Sequence, residues 1–148
     1  MKKNRVRAIA ICVFRNGDRI LVAEGIDEVK SQKFYRPLGG TIEFGEYSAE
    51  TVRRELLEEI QAEVFDLCYL GTLENIFTFN GKNGHEIVFV YDGKLTDKTL
   101  YEKGRLHGDE LGTPFEAIWI DLREIGPGSP PLYPTGLAEL LHESKPPA

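Results

Sequence analysis

The sequence predicts an α/β (α+β) fold: one mixed β-sheet with helices packed on its faces, in a single domain over residues 1–148. Three observations lead there. The chain opens on two apolar runs joined by a turn signal. One later segment has a clear helical period. Short β-type runs stand on both sides of that segment. A length of 148 residues suits one domain with a sizeable core, and 41% hydrophobic with 28% charged residues is ordinary for a globular chain.

The elements follow in order. Residues 6–14 alternate enough to read as a strand, Asn16-Gly17 supplies a tight turn, and residues 19–24 (RILVAE) return as the second strand of a hairpin. Residues 25–38 are polar and mixed, and read as a surface loop; a short extended piece follows at 41–44. A helix begins after Ser48, a good N-cap, with Ala49, Val52, Leu56 and Ile60 marking one buried stripe. Residues 65–73 and 86–91 read as strands around a polar turn at 80–84, and 115–121 (FEAIWID) as another, with Trp119 in the core. Residues 126–131 (GPGSPP) form a rigid loop, and 135–143 a short closing helix.

Charge and cysteine usage exclude several classes. The net charge is −6, against a general nucleic-acid surface; the basic cluster Lys2, Lys3, Arg5 and Arg7 is equally explained by a flexible N-terminus. No duplex nucleic-acid partner is expected. Cys12 and Cys68 sit in apolar runs and read as buried, reduced thiols of a cytoplasmic protein. No run approaches the roughly 20 apolar residues of a membrane span, and the N-terminal run lacks the features of a signal peptide.

Most of the excess acid lies in one stretch. Residues 39–62 hold six glutamates against Arg53 and Arg54, a local charge of −4 (two positive minus six negative). On a helix, Glu55, Glu58 and Glu59 fall at i, i+3 and i+4, on one face away from the apolar stripe. Such like-charge neighbours cost about 0.2–0.5 kcal/mol per pair. Arg54 flanks that face and nothing on it offsets the acids. An acid face of this kind suits a hard cation with oxygen ligands, Mg²⁺ or Mn²⁺.

These residues resemble the Nudix box, G-x5-E-x7-R-E-U-x-E-E-x-G-U, with U a bulky aliphatic residue. Gly40, Glu46, Arg54, Glu55, Leu56, Glu58 and Glu59 stand at the family's spacing, preceded by Arg36-Pro37-Leu38-Gly39. The resemblance covers essentially the whole chain and implies an α/β/α sandwich. It also implies a Mg²⁺- or Mn²⁺-dependent hydrolase cleaving the diphosphate linkage of a nucleotide substrate, and a homodimer by analogy. Glu55, Glu58 and Glu59 would be metal ligands, with the Gly40 carbonyl a further one. Glu46 would support the metal site, and Arg54 would hold a glutamate in place. A carboxylate then takes the proton of the attacking water; Glu58, Glu59, Asp109 and Glu110 are candidates among which the sequence does not choose.

Two positions depart from the pattern: Gln61 replaces the glycine after the helix, and Ala62 the last aliphatic residue. A left-handed glutamine costs about 1 kcal/mol, so the helix is expected to end differently or to run on.

Outside the box, Arg36 is a candidate for a substrate phosphate or for pairing with an acid. His85-Glu86, opening a strand, and Glu74-Asn75, ending one, are candidates for the cleft. Phe77, Phe79 and Tyr35 either stack on a base or pack the core. The region beyond the box (Ile76-Phe77-Thr78-Phe79) lacks the proline of the ADP-ribose branch and the tyrosine of the dinucleoside-polyphosphate branch. Nucleoside triphosphates and nucleotide sugars such as ADP-ribose both stay open. A non-catalytic sensing domain and an RNA 5′-end pyrophosphohydrolase are the alternatives.

Overall fold

The computed structural model describes residues 4–144. Lys2 and Lys3 of the basic cluster lie outside the described residues. The elements are β1 (Val6–Asn16), β2 (Arg19–Asp27), β3 (Gln32–Arg36), β4 (Leu38–Thr41), α1 (Ser48–Ile60), β5 (Val64–Phe79), β6 (Lys82–Leu95), β7 (Arg105–Glu110), β8 (Thr113–Asp121) and α2 (Leu137–Glu143). Single 3-10 turns at Lys98–Tyr101 and Leu122–Glu124 flank β7 and β8.

The strands run β5-β6-β1-β2-β8-β7 across the sheet. β1 and β6 are parallel and the other neighbours antiparallel, so the sheet is mixed. A central strand covered on both sides should be apolar on both, and β1 is: Ile9 through Phe14 are all buried. Ile9, Ile11 and Val13 face the layer containing Leu137 and Leu141 of α2. Ala10, Cys12 and Phe14 face Val52 and Leu56 of α1. Helices therefore cover both faces, as expected.

The sheet splits at β1. Near its end, Arg15 and Asn16 pair with β2; earlier, Ile9–Cys12 pair with β4 instead. β2 pairs with β8 over Arg19–Ala23 and then with β3 over Ala23–Asp27. The chain steps from β3, on one half, to β4, on the other, at Pro37. A cleft opens between the two halves.

Several expectations need correction. The stretch at 25–38 is not a loop: it ends β2, forms β3 and begins β4. β3 folds straight back on β2 as a hairpin and β4 pairs with β1, but neither segment carries a strong period-two pattern. Of the extended piece at 41–44, only Thr41 is in a strand, as the last residue of β4, and the chain then leaves the sheet. The turn at 80–84 is tighter, with Asn80 (φ 51°) and Gly81 (φ 79°) making it, so β5 and β6 run longer. His85-Glu86 and Glu74-Asn75 are therefore strand interior, not strand ends. β7 carries no apolar run and was not anticipated. Cys12 is buried, but Cys68 is exposed, because β5 is an edge strand irregular between Phe65 and Gly71.

The end of α1 also differs. Ser48 is its first residue; Tyr47 is the N-cap, and the Glu50 carboxylate accepts the Tyr47 amide at 2.9 Å. The Ser48 hydroxyl instead meets the Tyr91 hydroxyl at 2.6 Å. At the other end Gln61 is left-handed (φ 55°, ψ 35°), with its amide donating to the Leu57 carbonyl at 3.0 Å. The helix thus stops where a glycine would stop it, despite the side chain. Burial of Ala62 and its amide bond to the Leu56 carbonyl (3.2 Å) hold the turn.

Candidate functional site

The acids are set by the β4–α1 unit. β4 lies along β1, and α1 packs back over β4. A Cβ at Gly40 would overlap the Glu55 carboxyl group, so glycine there lets the helix come down onto the strand. Between them the chain turns at Glu43–Glu46, closed by the Glu46 amide on the Glu43 carbonyl at 3.0 Å.

Arg54 is the hub of this turn. Its Nε donates to Glu46 Oε2 at 2.8 Å and its Nη2 to Glu46 Oε1 at 3.0 Å, a two-pronged pair. Nη1 meets Glu58 Oε1 at 2.8 Å, and Nη2 also reaches the Thr41 carbonyl at 3.0 Å. Arg54 therefore does offset the acid face, contrary to the helical-wheel expectation, because its guanidinium folds back along the helix. It pins Glu58 and Glu46. Thr51 adds a 2.6 Å bond to Glu46, and these partners hold the Glu46 carboxyl down at about 2. Glu46 thus serves as a brace for Arg54.

Glu55 and Glu59 are different. Glu59 is only 8% exposed, where the helical wheel put it on an open face. The reason is nonlocal: α1 packs against both β4 and β7. Glu55 Oε2 and Glu59 Oε1 are buried with no hydrogen-bond donor. Buried carboxylate oxygens without donors are costly and rare. Burial first, then the charges of Glu55 and Glu110, push Glu59 up to about 8, against the opposing pull of the Gly39 amide and Arg36. Burial also raises Glu55, opposed by Arg54. Glu110, at the end of β7, faces this pair.

Two orphaned, hard oxygens beside a third glutamate on the same helix are a donor set that fits Mg²⁺ or Mn²⁺. As the side chains stand, no three acid, histidine or cysteine groups among the described residues are gathered as a cation site. Glu58 is turned into Arg54 instead.

The acids line one wall of a cleft of about 680 Å³. Arg36, Glu86 and Phe79 line it too, with Asn75 and Phe77 and, unforeseen from sequence, Phe34 and Tyr133. Arg36, from β3, crosses the split to Glu86 on β6 at 3.1 Å. Glu86 is 2% exposed; Arg7 stands 3.6 Å from its Oε2, and the Asn75 amide nitrogen 3.5 Å from its Oε1. Arg36 therefore pairs with a buried acid while keeping a third of its surface in the cleft. Arg7, read as part of a flexible N-terminus, is fixed in β1. Of the two acids in the HGDEL segment, Asp109 accepts the Gly112 amide at 2.9 Å within its own hairpin, and Glu110 lines the cleft. His85, Glu74 and Tyr35 are not cleft residues; Tyr35 packs into the α2-side core.

The likeness to known proteins follows the same geometry. A family model described as the NUDIX domain matches residues 3–143. The fold is similar to that of a MutT NUDIX hydrolase from Burkholderia pseudomallei, 17% identical with a TM-score of 0.60, over 91% of this chain and 96% of that one. A NUDIX hydrolase from Nitrosomonas europaea is 20% identical with a TM-score of 0.57, over 81% and 75%. The E. coli ORF135 protein is 18% identical with a TM-score of 0.54, over 92% and 86%. No curated protein matches the sequence. At these identities the neighbours speak for the fold, and the family model speaks for membership. Box spacing, fold and family model agree, and the chain belongs to the Nudix family.

Proposed function

We propose that the protein is a Mg²⁺- or Mn²⁺-dependent pyrophosphohydrolase that cleaves the diphosphate linkage of a nucleoside diphosphate derivative. One observation carries the reading: the donor-less, buried oxygens of Glu55 and Glu59 at the wall of a nucleotide-sized cleft. A divalent cation held there supplies charge neutralisation at the diphosphate and polarisation of the scissile phosphoryl group.

The chain's own residues have distinct jobs in this reading. Glu55, Glu58 and Glu59 would hold the cation, with the Gly40 carbonyl a further oxygen. Arg54 and Glu46 keep the loop before the helix in place. Arg36, anchored by Glu86, offers its remaining N–H groups to a diphosphate oxygen. Glu110 faces the same cleft with no ion-pair partner among the described residues, and is suited to take the proton of the attacking water.

The test is product analysis. The protein is incubated with Mg²⁺ or Mn²⁺ and nucleoside triphosphates, ADP-ribose, dinucleoside polyphosphates and 5′-triphosphate RNA. Metal-dependent release of a nucleoside monophosphate is expected, and the best substrate defines the branch. No turnover together with no metal binding would overturn the proposal in favour of a sensing domain.

A further inference from the structure

The β5–β6 ribbon carries a surface that cation binding does not use. Asn75, Phe77 and Phe79 project from one face of β5; their partners across the ribbon are Glu86, Gly84 and Lys82. A Cβ on Gly84 would overlap the Phe77 ring, so that ring lies flat across the neighbouring strand. Successive rows on one face of a strand are about 7 Å apart. A flat apolar platform thus sits one row from the buried carboxylate. Phe34, on the other half of the split sheet, meets the Phe79 ring edge-on at 5.7 Å and Tyr133 at 5.7 Å, which walls the far end.

Glu86 keeps capacity for a further partner. Its Oε1 is taken by Arg36 at 3.1 Å, while Oε2 has Arg7 at 3.6 Å, beyond hydrogen-bond length. A carboxylate only accepts, so the ligand group it would read is an N–H donor. A planar ring of base size, lying on Phe77, brings its edge to Glu86.

We propose that the Phe77 ring stacks a nucleobase and that Glu86 accepts a hydrogen bond from the base's exocyclic amino group. The preferred substrates are then nucleotides of amino-bearing bases: UTP would set its O4 against the carboxylate where CTP offers an amino group, and ITP, with hydrogen in place of guanine's amino group, would leave the carboxylate without that donor. This rests on the pyrophosphohydrolase reading for its substrate class, and the test separates the two.

Two base pairs that differ at the amino group decide it: CTP against UTP, and GTP against ITP. The expected kcat/KM ratio is roughly tenfold or more in each pair, from a hydrogen bond to a charged group gained or lost. Glu86→Gln, which can donate as well as accept, should narrow both ratios. Phe77→Leu should weaken all four nucleotides together and leave the ratios standing. Equal rates within each pair for the wild-type protein would overturn the proposal, as would ratios unchanged in a folded Glu86→Gln variant. Should that variant not fold, the wild-type ratios and Phe77→Leu decide. Titration of CMP and UMP without metal reads the same preference without turnover. If no nucleotide is hydrolysed but CMP binds more tightly than UMP, the catalytic reading fails and base recognition stands. If neither monophosphate binds, base recognition fails.

Discussion

Removing the charge of Glu59 should change how stability depends on pH. In the unfolded chain this carboxyl titrates near 4.5; in the folded, metal-free protein burial and the nearby acids hold it up to about 8. Below 4.5 both states keep the proton, and the folded protein has the full benefit. As pH rises, the unfolded chain releases its proton first, so stability falls until the folded protein releases its own near 8. Over that interval, at about 1.4 kcal/mol per pH unit, the loss reaches about 5 kcal/mol as an upper bound. That is a large fraction of the 5–15 kcal/mol typical of a domain, about 5 kcal/mol out of at most about 15. Urea unfolding in EDTA, at half-unit steps from pH 4.5 to 8.5, measures it. Wild-type stability should decline across the window, while Glu59→Gln should decline by several kcal/mol less. Added Mn²⁺ favours the ionised carboxylate, so at pH 8 it should restore stability to the wild type and much less to the variant. Parallel profiles for the two proteins would refute the reasoning.

Other expectations are simpler. Glu58→Gln should cut metal-dependent turnover by orders of magnitude with the folded circular dichroism unchanged, since that side chain is half exposed; wild-type rates would remove it from the metal site. Gln61→Gly should raise stability by about 1 kcal/mol in thermal unfolding, by relieving left-handed strain; a loss would show that the glutamine's own contacts outweigh that strain. Gly40→Ala puts a methyl group onto the Glu55 carboxyl and should weaken both stability and Mn²⁺ binding, read by calorimetry. Arg54→Lys keeps the charge but loses the two-pronged grip on Glu46, and should lower melting temperature and turnover together.

The legible parts of this site were the local ones. Arg54, Glu55, Glu58 and Glu59 share one helix, so spacing alone fixes their relative directions, and the hairpin from β1 to β2 is written in a contiguous turn. Glu59's burial was not legible because β7, which helps cover it, has no hydrophobic period of its own. β3 and β4 were hidden likewise: both are short, β3 is largely polar, and β4 takes its partner from β1, far back in the chain. Arg54 was placed at the flank because a wheel shows where a side chain starts, not where a long one ends. Phe34 and Tyr133 reach the cleft only through the split of the sheet, a tertiary feature with no sequence signal.

The make-up of the cleft walls has a further consequence. Glu55, Glu58 and Glu59 belong to α1, seated on β4, whereas Phe34, Phe77, Phe79 and Tyr133 come from β3, the β5–β6 hairpin and the segment before α2. The helix acids and the aromatic platform therefore sit on different secondary-structure elements. Under the proposed base contact, exchanging residues 76–86 would replace both the aromatic platform and its carboxylate while leaving Glu55, Glu58 and Glu59 in place on α1.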